Sequence, residues 1–354
     1  MTRVRGSIVV AVVVSSLNMA ANTMAANAQD QTPPQAEIGN GPLRVKLYLP
    51  DPKTGFYRGT RFDWSGVINS LEHEGHEYYG PWFTKTDPKV IDFIFDGADI
   101  VAGPCSAIMG PVEEFSSDEK ALGYDEAKAG GTFIKIGVGV LRRPDEEAYN
   151  PYRLYDIVDS GKWKVRTEKD AVEFIQEVTD PGTGWGYAYT KTVRLAKDKA
   201  EMTVEHSLRN TGRRAIDTSV YDHNFLVLDK QPIGPDFTVS VPFEMKTERP
   251  LENGLAEVRG KQFLFLKTLE GKETVAASFS GFGKSAADYN IMIENRKVGA
   301  GMKISSDRPL AQESLWSIRS VLAMEPFIHM IVEPGKEFTW KYTYSYYSLS
   351  QQSK

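Results

Sequence analysis

What this 354-residue chain lacks narrows its function early. Cys105 is its only cysteine, so no intramolecular disulfide can form in any compartment and stability has to come from a buried core. The thiol reads as a small buried hydrophobe rather than a nucleophile. Basic blocks are missing as well. With 47 acidic residues against 42 basic ones and a net formal charge of −5, nothing neutralises a phosphate backbone, and nucleic acid is excluded as a partner. No phosphate loop is present: Pro181 to Gly186, PGTGWG, opens no helix and lacks the lysine-hydroxyl pair, so it reads as a hairpin turn. No zinc helix is present either. His73 and His76 in EHEGHE flank a turn at Gly75 instead of lying four apart on one helical face, and no metal is expected there.

Long apolar runs are absent beyond the N-terminus. Met1 to Ala28 carries Arg3 and Arg5, an apolar core from Ile8 to Val14, and the small-residue site Ala26-Asn27-Ala28, the pattern of a secretory signal. Its apolar run falls far short of the roughly 20 residues a spanning helix needs. The expectation is a periplasmic or secreted protein with no stable membrane insertion after cleavage. Residues 29–42 are polar, with Pro33 and Pro34, and are expected to be a flexible lead-in. Residues 43–350 contain no linker and read as one domain.

What is present is strand rhythm. From Leu43 onward, alternation of apolar and polar residues recurs between Gly, Pro and Asn turns. It runs through Val172 to Val178, Tyr187 to Leu195 and Met202 to Leu208, and is clearest in the last strand. The last strand carries Phe338, Trp340, Tyr342, Tyr344 and Tyr346 on one face, which is core in character. Thr132 to Leu141 reads as one strand, with Ile134, Ile136, Val138 and Val140 on a core-like face. Asp118 to Ala129 is the one stretch that predicts a short helix, stopped by Gly130-Gly131. The class is all-β, two packed antiparallel sheets.

The stretch that organises the rest is EHSLRNTGRRAIDTSVYDHNFLVL, Glu205 to Leu228. Val204, His206 and Leu208 alternate into Asn210-Thr211-Gly212, a tight turn, and Ile216, Thr218 and Val220 carry the chain back to Asp222-His223-Asn224. His206 shares its face with apolar neighbours and reads as a core histidine. An Asn-Thr-Gly turn, a strand and a His-Asn-Phe cluster resemble the central motif of the galactose mutarotase (aldose 1-epimerase) superfamily. AMEPFIHMIVEPGKEFTWKYTYSYYS, Ala323 to Ser348, resembles that family's closing pattern. The resemblance, specific at these two stretches, identifies the chain as a divergent secreted bacterial member. It implies a β-supersandwich, His223 as catalytic acid and Glu325 as catalytic base, with Glu333 left before the Pro334-Gly335 turn. One departure stands out: Gly103 to Phe115, GPCSAIMGPVEEF, has no histidine where the family carries a second one, leaving Glu113 or Glu114 as polar substitutes.

Interconverting sugar anomers requires a proton delivered to the ring oxygen while another leaves the anomeric hydroxyl. Neither a metal nor an organic cofactor is needed. A histidine suits the acid because its ordinary pKa, about 6.5, lies near neutrality; a glutamate, ordinarily near 4.3, becomes an effective base when burial raises it. The expected partner is a carbohydrate. Arg61, Trp185 and Tyr187 are candidates to bind it, an arginine fork gripping hydroxyls and aromatic faces stacking on sugar C–H patches. Asp222, Asn224 and His329 are further candidate contacts, His329 because it stands four residues beyond Glu325 on the same strand face. Two alternatives stay open. One is a carbohydrate-binding protein without catalysis; the other is glycan cleavage by two of Glu113, Glu114 and Glu325.

Overall fold

Period-two alternation in the sequence becomes long antiparallel strands in the computed structural model, which describes residues 32–116, 120–247, 249–251 and 254–349. The expected signal segment lies outside the described residues. The larger sheet has ten strands, ordered Lys162–Thr167, Ala171–Asp180, Trp185–Leu195, Glu201–Asn210, Glu337–Ser348, Ala300–Ser306, Asn290–Asn295, Phe237–Ser240, Gln262–Phe265 and Ala256–Arg259. The smaller has six, ordered Lys246–Thr247, Thr274–Ser280, Gln312–Ile318, Val321–Val332, Ile216–Leu226 and Gly110–Ser116. Three small sheets add hairpins around them.

The two large sheets pack face to face, because each strand buries every second side chain. Val204, Ile291, Met302 and Tyr342 from the larger sheet join Val220, Met324, Ile328 and Met330 from the smaller in one apolar cluster. Each such side chain contributes about 1.5–3 kcal/mol on burial. A second cluster, with Phe62, Trp64, Trp82, Phe133 and Phe225, contributes side chains to the lining of the cavity described below.

Three local expectations change. The lead-in expected over residues 29–42 holds a strand, Gln35–Gly39, paired with Arg44–Tyr48 in the register Ile38↔Val45. Ile38 is buried against the core and Asn40 closes the turn by accepting from the Leu43 N–H at 2.8 Å. The helix expected over Asp118 to Ala129 does not form from residue 120 on; its first two residues are outside the described set. Gly123 is left-handed at φ 79°, and the Arg143 guanidinium holds the Tyr124 and Ala127 carbonyls in turns. The single strand over Thr132 to Leu141 is instead a hairpin, Thr132–Lys135 and Gly139–Arg142. Gly137 at its bend has φ 81°, and a Cβ there would meet Asp63 at 2.7 Å.

Candidate active site

Strand Ile216–Leu226 sits between Val321–Val332 and Gly110–Ser116. Alternation divides its side chains between two environments. Asp222 and Asn224 point between the sheets, while Tyr221, His223 and Phe225 point to the opposite face and line a cavity of about 760 Å³. The neighbouring strand pairs Phe327 with Tyr221 and Met324 with Asn224. Pro326 interrupts the ladder between them, since it has no N–H to donate. This register sets Glu325 beside His223, with Nε2 3.1 Å from Oε1.

His223 is packed into aromatic surroundings: Phe225 stacks on it at 3.7 Å between ring centroids, and Phe62 and Trp316 meet it edge-on at 5.7 and 6.0 Å. Burial, reinforced by the nearby Arg61 charge, holds its pKa well below the usual histidine value. Burial drives Glu325 the other way, up to about 7, against the opposing influence of Arg61 and a hydrogen bond from Ser314 Oγ at 3.1 Å. Both shifts favour uncharged forms, so the 3.1 Å approach is a close contact between two groups placed to exchange a proton rather than an ion pair.

Arg61 forms the polar wall. Its Nε donates to Glu114 Oε2 at 2.6 Å and its Nη2 to Tyr221 Oη at 3.0 Å, while the guanidinium lies over the Phe62 and Tyr152 rings. Lys135 Nζ donates to the other Glu114 oxygen at 3.1 Å, and Tyr221 Oη donates to Glu114 as well. Burial raises the Glu114 pKa, but Lys135 and Arg61 outweigh it and leave a carboxylate below its ordinary range. Of the two substitutes considered for the missing histidine, only Glu114 reaches the cavity. Glu113 faces between the sheets, bonded to Lys191 and to His206 Nε2 at 2.7 Å. His206 is the core histidine expected, stacked on Trp340 at 4.5 Å.

Other predicted contacts lie away from this cavity. Asp222 and Asn224 both accept from Tyr344 Oη of the larger sheet and are fully buried. Tyr187 is also buried, donating to Gln176 Oε1 at 2.7 Å. Trp185 lies beneath Arg214, whose guanidinium carbon is 4.5 Å from the ring centroid, and lines a separate hollow with His329. Of the non-catalytic candidates, Arg61 alone lines the cavity. His73 and His76 meet protein oxygens, Pro42 O at 3.1 Å and Asp229 Oδ2 at 2.7 Å. No group of three or more candidate metal ligands gathers among the described residues.

Two features of the cavity escaped the sequence reading. Asp92 sits on the wall in the left-handed conformation, φ 61°, uncommon outside glycine, and accepts from Ser106 Oγ at 2.7 Å. Ser106 belongs to the GPCS segment that stands where a histidine was expected. A lone carboxylate between Ile91 and Phe93 was the available signal. The lining is also aromatic: Trp82, Phe93 and Trp316, with edge-to-face contacts at 5.5–5.6 Å.

No family model matches the chain, and no curated protein is similar to it in sequence. Solved structures are similar in fold. The GalM/aldose epimerase homologue from C. elegans aligns over 89% of this chain and 99% of its own, with TM-score 0.52 and 13% identity. A galactose mutarotase related enzyme from Lactobacillus acidophilus aligns over 90% and 99%, with TM-score 0.51 and 13% identity. A galactose mutarotase-like protein from Clostridium acetobutylicum aligns over 89% and 95%, with TM-score 0.52 and 12% identity. The fold is galactose mutarotase-like. Among the described residues no helix is long and apolar enough to cross a membrane.

Proposed function

We propose that this chain is a carbohydrate-active protein that interconverts the anomers of a free sugar, or of an oligosaccharide's reducing end, by proton transfer through His223 and Glu325. The observation that carries the reading is their 3.1 Å contact inside the cavity, with a carboxyl lifted to about 7 against an imidazole held neutral. A sugar entering between these groups gains a proton on its ring oxygen and loses one from the anomeric hydroxyl. The bond between the anomeric carbon and the ring oxygen breaks, the aldehyde turns, and closure from the other face reverses both transfers. The resemblance assigns the acid to His223 and the base to Glu325. An imidazolium with a carboxylate and a neutral imidazole with a carboxylic acid hold the same number of protons, so the pair reaches either form without exchange with solvent. Arg61 and Asp92 supply polar contacts to the sugar, and Trp316 and Phe93 supply C–H stacking.

Glycan cleavage by paired carboxyls is disfavoured. Glu114 is tied as a carboxylate by two cations, and Glu113 is turned away from the cavity. On its N-terminal pattern we place the protein in the periplasm or outside the cell.

Polarimetry, or NMR exchange between the anomers of freshly dissolved aldoses, tests the function. The wild type is expected to accelerate exchange, and His223→Gln and Glu325→Gln each to lose about 10²-fold or more. No acceleration of any common aldose by the wild type overturns it.

A further inference from the structure

The catalytic face does not end at the cavity. Along Val321–Val332 the side chains of Glu325, Phe327 and His329 share one face, and four residues of strand carry it about 13 Å. The neighbouring strand keeps step: Tyr221 pairs with Phe327, Ser219 with His329 and Asp217 with Ile331. Exposure rises along this line, from 17% of the Glu325 side chain to 50% for His329 and 65% for Asp217. The cavity therefore opens onto a shelf.

The shelf has the chemistry of a sugar-binding surface. Phe327 is half-buried and stacked on Tyr221 at 4.5 Å, so it is held flat at the cavity's edge. Beyond it, His329 Nδ1 lies 3.3 Å from Ser219 Oγ and His329 Nε2 lies 3.3 Å from Asp217 Oδ1, which brings a hydroxyl, an imidazole and a carboxylate side by side. The shelf runs into a second hollow of about 400 Å³, lined by Asp217, Ser219, His329, Glu126, Arg214 and Trp185. Arg214 there donates to Glu126 Oε1 at 2.7 Å, and the Trp185 indole N–H has no partner among the described residues. Cavity and hollow meet where Ser116, lining the first, pairs with Ser219, lining the second.

We infer that this shelf is a subsite for the second and later units of a reducing oligosaccharide, whose terminal unit occupies the cavity at His223 and Glu325. An aromatic ring followed by ordered hydroxyl, imidazole and carboxylate groups offers one pyranose a stacking face and the next a set of hydrogen-bond partners. The mixed charge beyond, with Arg214 tied to Glu126, suits a neutral sugar chain better than an anionic one. This inference rests on the anomer-interconverting reading for the unit in the cavity.

The experiment compares NMR anomer exchange of glucose with that of maltotetraose and cellotetraose, on wild type, His329→Ala and Asp217→Ala. Both substituted side chains are exposed and lie outside the cavity. At least one tetrasaccharide is expected to have a kcat/KM about tenfold or more above glucose, with that advantage lost in both variants and the glucose rate unchanged, as expected for lost hydrogen bonds to charged or strongly polar groups. Equal efficiency for glucose and both tetrasaccharides in the wild type, or equal losses for all sugars in the variants, overturns the subsite. Calorimetric titration of the same tetrasaccharides onto His223→Gln, with and without His329→Ala, separates the two readings. Affinity that depends on His329 supports the shelf even where no sugar is turned over, and absence of tetrasaccharide binding overturns it.

Discussion

Ser314 Oγ donates a hydrogen bond to Glu325 Oε2, and the two residues face each other across neighbouring strands. The bond favours the carboxylate, so it opposes the burial that raises Glu325 to about 7. On the proposed function, the pair works with one proton shared between His223 and Glu325. Above pH 7 that proton leaves, and the exchange rate is expected to fall with a midpoint of about 7; the acid limb lies well below the ordinary histidine range, because His223 is depressed. Ser314→Ala removes the opposing bond, lets Glu325 rise further and moves the falling limb to higher pH. Profiles of rate against pH for the two proteins check this, and an unmoved limb would detach Ser314 from the titration.

Arg61 acts on both partners and on the fold. It completes the buried set of Glu114, Lys135 and Tyr221, and removing one member of such a set strands the others. Arg61→Ala is expected to cost about 3–5 kcal/mol, read as a lower denaturant midpoint. The loss of positive charge also lifts both His223 and Glu325, so whatever activity survives should shift its whole pH profile upward. Arg61→Lys keeps the charge without the fork to Glu114 and Tyr221, so it should hold the profile near its original pH while recovering only part of the stability.

The strands were legible because one residue in two is apolar along most of the chain, and the pairing of His223 with Glu325 was foreshadowed only by resemblance, His223 lying near the end of Glu205 to Leu228 and Glu325 near the start of Ala323 to Ser348. Convergence was harder to read. Trp82, Phe93, Asp92, Ser106 and Trp316 come from segments far apart in sequence, and nothing local says that they share a cavity. Asp222 and Asn224 were misplaced although the rule was available. Ile216, Thr218 and Val220 face the core, and the same parity carries on through 222 and 224. Trp185 was read as a hairpin tip free to stack on a sugar; one face is covered by Arg214, a contact between strands' ends that no spacing reveals.

Asp92 offers a test of how the polar wall binds. Its left-handed backbone is tolerated by Asn better than by Ala, so Asp92→Asn removes the charge while keeping the conformation. Its carboxyl, raised by burial and held by Ser106, is expected to grip a sugar hydroxyl. Asp92→Asn should raise KM about tenfold with little change in thermal midpoint, as a hydrogen bond to a charged group is worth about 1.5–3 kcal/mol. Asp92→Ala should show the same kinetic defect plus a stability loss of about 1–2 kcal/mol from the strained backbone. A KM unchanged in Asp92→Asn removes it from the binding wall.

Glu313 predicts an unusual dependence of stability on pH. It lies on the strand that carries Ser314 but faces the other way, fully buried, with neither carboxyl oxygen partnered among the described residues. Burial alone pushes its pKa up to about 8, so at neutrality the folded protein holds it protonated. In the unfolded chain the same group ionises near 4.3, so between about pH 4.3 and 8 the folded state binds the extra proton and stability falls as pH rises, levelling off above 8. Asp222, also raised to about 8 chiefly by burial, adds a slope of the same sign. Replacing Glu313 with Met keeps the volume and removes the titration. Urea midpoints at pH 5, 7 and 9 should decline for the wild type and decline less for Glu313→Met, with a gap on the order of a few kcal/mol at pH 9. Parallel curves for the two proteins would mean that the folded state already ionises Glu313 at neutral pH and satisfies it in place.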